Sequence, residues 1–376
     1  MKNSINTEQE EMLQNPISRA SFMKTSALVA GSSLLFGLSS CQSSPKPTVE
    51  KASVKVSPVA DAAITAKPKR VAANPALLPP PIKQKITQTH KITLECTEVI
   101  GEVKAGQKFR YLTFNGQVPA PMIRVRQGDT IDLTITNPTT SIHPHNVDFH
   151  AVYGTGGGAE ATMVAPGQTK HIRFKTMYPG AFIYHCAAPG LDFHISSGMF
   201  GLLLVEPPEG LPEVDHEFYF GQNEIYTKDE VDANGFLNFD YEAMKNENPN
   251  FVVLNGESYA ITDAVYGAVK VKKGETARIF FVNGGPNLIS SFHPIGNIWT
   301  KAWREGALAN NPEKYIQTIG VSPGSCAVLE MEFPVAETIK LADHSLSRVV
   351  SKGLMAVIEV EGTADTEIFD ANPKFN

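Results

Sequence analysis

The chain repeats itself. The segment Phe114-Asn115-Gly116, followed by Val125-Arg126-Gln127-Gly128-Asp129-Thr130, returns as Leu254-Asn255-Gly256 followed by Val271-Lys272-Lys273-Gly274-Glu275-Thr276. Each copy runs on to an asparagine, Asn137 or Asn283, and the turn Pro166-Gly167 recurs as Pro323-Gly324 ahead of a histidine, His185 or His344. A period near 150 residues is too long for a solenoid and means two similar domains in tandem. Inside each copy, short alternating runs such as Ile131-Asp132-Leu133-Thr134-Ile135-Thr136 are separated by Gly, Pro and Asn. That is the pattern of half-buried strands in antiparallel sandwiches. The expected fold class is all-β, with two tandem Greek-key β-sandwich domains over residues 86–208 and 209–364 and a tail over 365–376. Their boundary is placed near Pro207-Pro208-Glu209-Gly210.

The chain ahead of these domains is of another kind. Arg19 and Lys24 precede an apolar run from Ala27 to Leu38, long enough for a secretory signal and too short to span a bilayer. The run closes on Leu38-Ser39-Ser40-Cys41, which resembles the lipobox whose cysteine becomes the lipid-carrying first residue of an exported lipoprotein. Residues 1–41 are therefore expected to be a lipoprotein-type signal. The protein is expected to be exported and anchored to the outer membrane through lipid on Cys41, or otherwise periplasmic. The single arginine of Ser18-Arg19-Ala20-Ser21-Phe22 leaves the export route open. Residues 42–85, dense in Pro, Ala and Lys and without a periodic apolar face, are expected to be a disordered tether. Lys and Arg number 33 against 39 Asp and Glu, so no basic excess marks the chain as a nucleic-acid binder.

The first domain concentrates His145, His150, His185, Cys186, His194 and Met199, nitrogen and sulfur donors that point to a transition metal. Two imidazoles, a thiolate and a weak thioether suit a copper that moves between Cu(I) and Cu(II). His145, Cys186, His194 and Met199 are assigned to that set, with His194 eight and Met199 thirteen residues beyond the cysteine. Zinc would want four strong ligands, which a methionine does not supply. Neighbours on a strand point to opposite faces, so His185 is turned away from Cys186. By the same rule His150 is turned away from His145 if the strand is unbroken, with Asp148 on the side of His150. Asp148, His150 and His185 are thus expected to converge on a second centre, joined to the first by the peptide unit of His185-Cys186.

His145-Asn146-Val147-Asp148-Phe149-His150, the pair His185-Cys186 with its loop, Ser291-Phe292-His293-Pro294-Ile295-Gly296 and Asp343-His344-Ser345 together resemble the copper-containing nitrite reductase family over residues 86–362. The resemblance implies cupredoxin-like domains assembled as a homotrimer, with a type 1 copper on His145, Cys186, His194 and Met199. It implies a type 2 copper on His150 and His185 of one subunit and His344 of the next. It further implies Asp148 and His293 as proton donors, Ile295 as the residue that shapes the substrate pocket, and Asn146 as a hydrogen-bond partner of the thiolate. The substrate would be nitrite, reduced to nitric oxide by an electron from a cupredoxin or a cytochrome c. The short spacing from Cys186 to His194 resembles that of lipid-anchored outer-membrane members, in agreement with Cys41.

Two other readings compete. His143-Pro144-His145 is a His-x-His pattern of the kind found in a two-domain laccase-like multicopper oxidase, whose trinuclear centre takes eight histidines. The chain holds ten, and His90, His171 and His216 lie outside any motif. A non-catalytic copper carrier would dispense with Asp148, His150, His185, His293 and His344, all of which are present. Cys96 and Cys326 have no ligand-spaced neighbours and are expected to be buried thiols, with a disulfide left open.

Overall fold

The computed structural model describes residues 68–374. The expected signal, Cys41 and residues 42–67 of the tether lie outside the described residues. The first domain is built from β1 (Thr89–Lys104), β2 (Gln107–Phe114), β3 (Ile123–Arg126), β4 (Thr130–Thr136), β5 (Asp148–Phe149), β6 (Thr169–Lys175), β7 (Gly180–His185) and β8 (Phe200–Glu206). One sheet has the order β2-β1-β4-β6 and the other β3-β8-β7-β5. Strand β4 shows why these segments form a sandwich: Ile131, Leu133 and Ile135 are buried while Thr130, Asp132, Thr134 and Thr136 stand on the outer face.

Strand β8 behaves differently, being buried at every position. Its continuous apolar run is what a strand covered on both faces requires. Leu203 and Val205 enter the core of the first sandwich, whereas Phe200, Leu202 and Leu204 enter a second cluster shared with Tyr219, Val253, Phe280 and Val328 of the second domain. The domains are therefore cemented through a common apolar layer, each fully buried large side chain contributing roughly 1.5–3 kcal/mol. Phe200 reaches across because Gly221 and Gly284 leave room, since a Cβ on either would come within 3.0 Å and 2.7 Å of its ring.

The second domain stacks a six-stranded sheet on a five-stranded one, and the internal repeat is visible in its pairing. His216–Ile225 runs parallel to Thr276–Gly285 as β1 runs parallel to β4. Val269–Lys272 runs parallel to Met355–Glu361 as β3 does to β8. The expected sandwiches are thus present, but each sheet carries a parallel pair as well as antiparallel ones. The repeated asparagines and Pro-Gly turns have one job in both copies. Gly167 N–H donates to the Asn137 carbonyl and Gly324 N–H to the Asn283 carbonyl, each at 2.8 Å. The buried amides of the two asparagines donate in turn to loop carbonyls, Asn137 to His143 and Val164, Asn283 to Leu288 and Val321.

A chain of charges also crosses the domain contact. Arg124 binds Glu206 and Glu217 at 2.5 Å each, Arg278 binds Glu217 at 3.0 Å and Glu330 at 2.5 Å, and Lys301 binds Glu330 at 2.7 Å.

The tether expected to reach residue 85 ends short of it. Val71, Ala72 and Ala73 are buried, and Glu257 accepts the N–H groups of Val71 and Ala72 at 2.7 and 3.0 Å. Tyr219 N–H donates to Pro75, Arg124 to the carbonyl of Pro79 and Arg126 to that of Ile82. The segment is held through its backbone by polar groups of both domains, which leaves no side-chain periodicity for a sequence reading to find.

Candidate metal centres

Strand β7 ends at His185, and alternation carries its side chains to two different places. Tyr184 and, just beyond the strand, Cys186 enter the core of the first sandwich, while Ala181 and Ile183 enter the layer shared with the second domain. His185 has the parity of Ile183, so adjacent residues open onto different environments.

Around Cys186 the structure gathers His145 and His194, all three nearly inaccessible to solvent. Sγ lies 3.3 Å from His194 Nδ1 and 3.9 Å from His145 Nδ1, and the two Nδ1 atoms are 3.2 Å apart. His145 is held by paired backbone hydrogen bonds with Val164, and His194 rides on α1 (Leu191–Ser196). Burial pushes the Cys186 thiol up to about 11, opposed by the N–H groups of Asn146 and Ala188. Burial and the neighbouring His194 push His145 down to about 3, and burial with His143 pushes His194 down to about 4. Two neutral imidazole lone pairs and a sulfur thus face one another in a dry pocket, a donor set that fits a soft transition-metal cation. Met199, fully buried, packs in the same cluster as the thiol and accepts the Cys186 N–H on its carbonyl at 3.0 Å.

The Asn146 side chain reaches both the Cys186 sulfur and the backbone beyond it. Its Oδ1 accepts the Ala187 N–H at 2.6 Å and stands 3.7 Å from Sγ. An amide oxygen can only accept, so it orders the backbone after Cys186, while backbone N–H groups are the donors to sulfur.

The second group is Asp148, His150 and His185, with one donor atom from each lying within 4.8 Å of the others. Asp148 and His185 are a cross-strand pair of β5 and β7, and the Nε2 atoms of His150 and His185 are 3.1 Å apart. His185 Nδ1–H donates to the Cys186 carbonyl at 3.1 Å, which leaves the lone pair on Nε2. The premise of an unbroken strand from His145 to His150 does not hold, because β5 comprises only Asp148–Phe149. The bridge to Val164, not the pleat, separates His145 from His150.

His293 and His344 are not part of that group in the same chain. They form a pair of their own at the end of neighbouring strands Ser290–Ile295 and Thr338–Asp343, with ring centroids 5.3 Å apart. His293 Nδ1–H donates to the Gln317 carbonyl at 2.6 Å, and His344 is exposed. Ile295, 36% exposed, follows on the same face as His293. The turn bearing His344 is fastened by Asp343, noted in the sequence only as part of a motif, and by Arg348, which lies outside it. Asp343, fully buried, accepts the Ser345 N–H at 2.8 Å and pairs with Arg348 at 2.5 Å, and Arg348 also donates to the Ile289 carbonyl. Nothing in the spacing of Arg348 marks it in the sequence as the partner of that carboxylate.

Residues 95–210 match the family model described as multicopper oxidase. A copper-containing nitrite reductase of Neisseria meningitidis serogroup B is 43% identical over 311 residues, 83% of this chain and 77% of the relative. One of Neisseria gonorrhoeae is 40% identical over 365 residues, 92% of this chain and 90% of the relative. The chain belongs to the copper-containing nitrite reductase family. Among solved structures, a copper nitrite reductase from Nitrosomonas europaea aligns with a TM-score of 0.66 at 33% identity, over 74% of this chain and 96% of that one. A multicopper oxidase structure aligns with a TM-score of 0.62 at 28% identity, over 73% of this chain and 89% of that one.

Copper is accordingly the metal of this nitrite reductase family member. Of the ten histidines, His90 pairs with Asp129, His171 with Thr134, His216 with Glu275 and His143 with Glu98. Six remain, two of them around Cys186, too few for the eight-histidine centre of a laccase-like oxidase. Cys96 and Cys326 are buried free thiols, one in the first core and one in the interdomain layer.

Proposed function

We propose that this protein reduces nitrite to nitric oxide and water, taking one electron and two protons per turnover. The observation that carries the reading is the pair His185-Cys186, which ties two separate donor sets together through one peptide unit. His145, Cys186, His194 and Met199 would hold the copper that receives the electron. His150 and His185 would hold the catalytic copper with His344 of a second copy of the chain. Bound there, copper supplies a one-electron couple and a Lewis acid for the substrate oxygens. The chain does the rest. Asp148 stands beside the ligand nitrogens as a proton carrier, and His293, whose Nδ1 is engaged by Gln317, keeps Nε2 for the second proton. Ile295 contributes an apolar wall to the substrate pocket.

A homotrimer accounts for the exposure of His344 and its separation from His150 and His185, since another copy would bring the third ligand. The electron donor is read as a cupredoxin or a cytochrome c, supported by the exposed apolar side chains Ile142 and Leu191, each three residues ahead of a ligand of the first pocket. The lipobox-like Cys41 supports export and lipid anchoring at the outer membrane, with the tether setting the reach of the enzyme from the surface. Metal analysis with an optical spectrum, followed by anaerobic nitrite and a reduced dye, tests the function. Two coppers per chain and nitric oxide are expected; oxygen consumption with four coppers per chain would support an oxidase instead.

A further inference from the structure

After His150 the chain crosses back over the first domain as Gly154-Thr155-Gly156-Gly157-Gly158, and Gly156 and Gly157 adopt nearly the same left-handed backbone, φ +56° and +57°. Their surroundings differ. A Cβ on Gly156 would meet only Ala159 Cβ, at 3.4 Å. A Cβ on Gly157 would stand 1.9 Å from Asp148 Oδ1, 3.0 Å from Asp148 Cγ and 2.8 Å from the Phe149 carbonyl oxygen. No side chain fits at 157 while the carboxylate stays where it is. The wall behind Asp148 is the bare Cα of a glycine, and in front of it stand the ring nitrogens of His150 and His185.

We infer that Gly157 is a positioning residue for Asp148: its missing Cβ is the space in which the carboxylate lies within reach of the His150 and His185 nitrogens. The inference rests on the proton-carrying role proposed for Asp148 above. A methyl group at 157 drives the carboxylate off its position, and a misplacement of about 1 Å in a reacting constellation costs on the order of 100-fold in rate. The left-handed strain of an alanine is common to positions 156 and 157, so what separates them is the contact with Asp148 and the one with the Phe149 carbonyl.

Four variants of the copper-loaded full chain test this: Gly156→Ala, Gly157→Ala, Asp148→Ala, and Gly157→Ala combined with Asp148→Ala. Gly156→Ala sets the effect of strain alone and is expected to turn over nitrite as the unaltered chain does. Gly157→Ala is expected to lose on the order of 100-fold in kcat/KM, with copper content and the optical band retained and the type 2 signal shifted in electron paramagnetic resonance. Added to Asp148→Ala, it is expected to change neither copper content nor that signal further, because the displaced atoms are gone. Equal turnover in Gly157→Ala and Gly156→Ala overturns the inference. So does a Gly157→Ala chain that fails to fold or to load copper and is not rescued by Asp148→Ala, since the glycine would then serve the Phe149 backbone. Full turnover in Asp148→Ala alone is the separate result that overturns the role of Asp148, and the inference with it.

Discussion

His185 and Cys186 are joined twice, by their peptide bond and by a 3.1 Å hydrogen bond from His185 Nδ1–H to the Cys186 carbonyl. The bond sets the tautomer of one donor set by using the backbone of the other. Metal-binding histidines are ordinarily oriented by such a partner, and here that partner belongs to the neighbouring site. The two donor sets are thereby joined through one peptide unit and one hydrogen bond.

If His150 belongs to the second centre alone, His150→Ala leaves the intense optical band of the Cys186 site intact. Nitrite reduction should fall by at least a hundredfold, about 3 kcal/mol in barrier. Spectra and turnover measured on the same preparation check this, and retained turnover would remove His150 from the catalytic set.

Arg348 supports the His344 turn from beneath. Arg348→Ala leaves Asp343 buried without its charge partner, a change of roughly 3–5 kcal/mol for a fully buried pair and less here because Arg348 is partly exposed. Loss of type 2 copper with retention of the Cys186 band is the expected pattern, read by metal analysis and optical spectroscopy. Equal loss of both coppers would mean that Arg348 serves the domain as a whole.

Arg278 stands in the middle of the charge chain between the domains. Arg278→Leu leaves Glu217 and Glu330 each with one remaining partner, Arg124 and Lys301. The expected destabilisation is about 3 kcal/mol, seen as a lower urea midpoint with an unchanged Cys186 band. An unchanged midpoint would show the chain of charges to be neutral for stability.

Glu98 ties the loop ahead of His145 to the body of the domain. Burial works against its charge, but hydrogen bonds from His143, Ile142 and Ser141 hold its carboxyl at about 2, below the ordinary 4.5. A depressed carboxyl contributes stability that is full above the unfolded value and is lost as pH falls through the folded one. Copper-free Glu98→Gln should therefore be less stable than the parent at neutral pH, with the gap closing between 4.5 and about 2. Urea unfolding as a function of pH reads the gap, and one that stays constant into the acid range contradicts the assignment.

Much of this protein is readable without coordinates. The 150-residue period reports two sandwiches because each Asn and Pro-Gly turn makes the same local hydrogen bonds in both copies. The separation of His185 from Cys186 is equally local, since strand alternation alone turns adjacent side chains apart. The reading fails where contacts are distant. Residues 71–84 are held to the folded body by Glu257, Arg124 and Arg126 through backbone atoms, and no pattern within the segment announces that. The hydrogen bond from the Ala187 N–H to the Asn146 side chain is likewise a contact between separate parts of the chain that no spacing announces.

The sequence by itself determined the two-sandwich fold and the separation of His145, Cys186 and His194 from Asp148, His150 and His185, because period, residue chemistry and strand parity are properties of short stretches of chain. Only the tertiary structure decided that the loop of Gly157 closes against Asp148, that Asp343 and Arg348 carry the turn of His344, and that one apolar layer fuses the two domains. Those contacts join residues far apart in sequence, where alternation has no reach and geometry depends on how whole sheets pack.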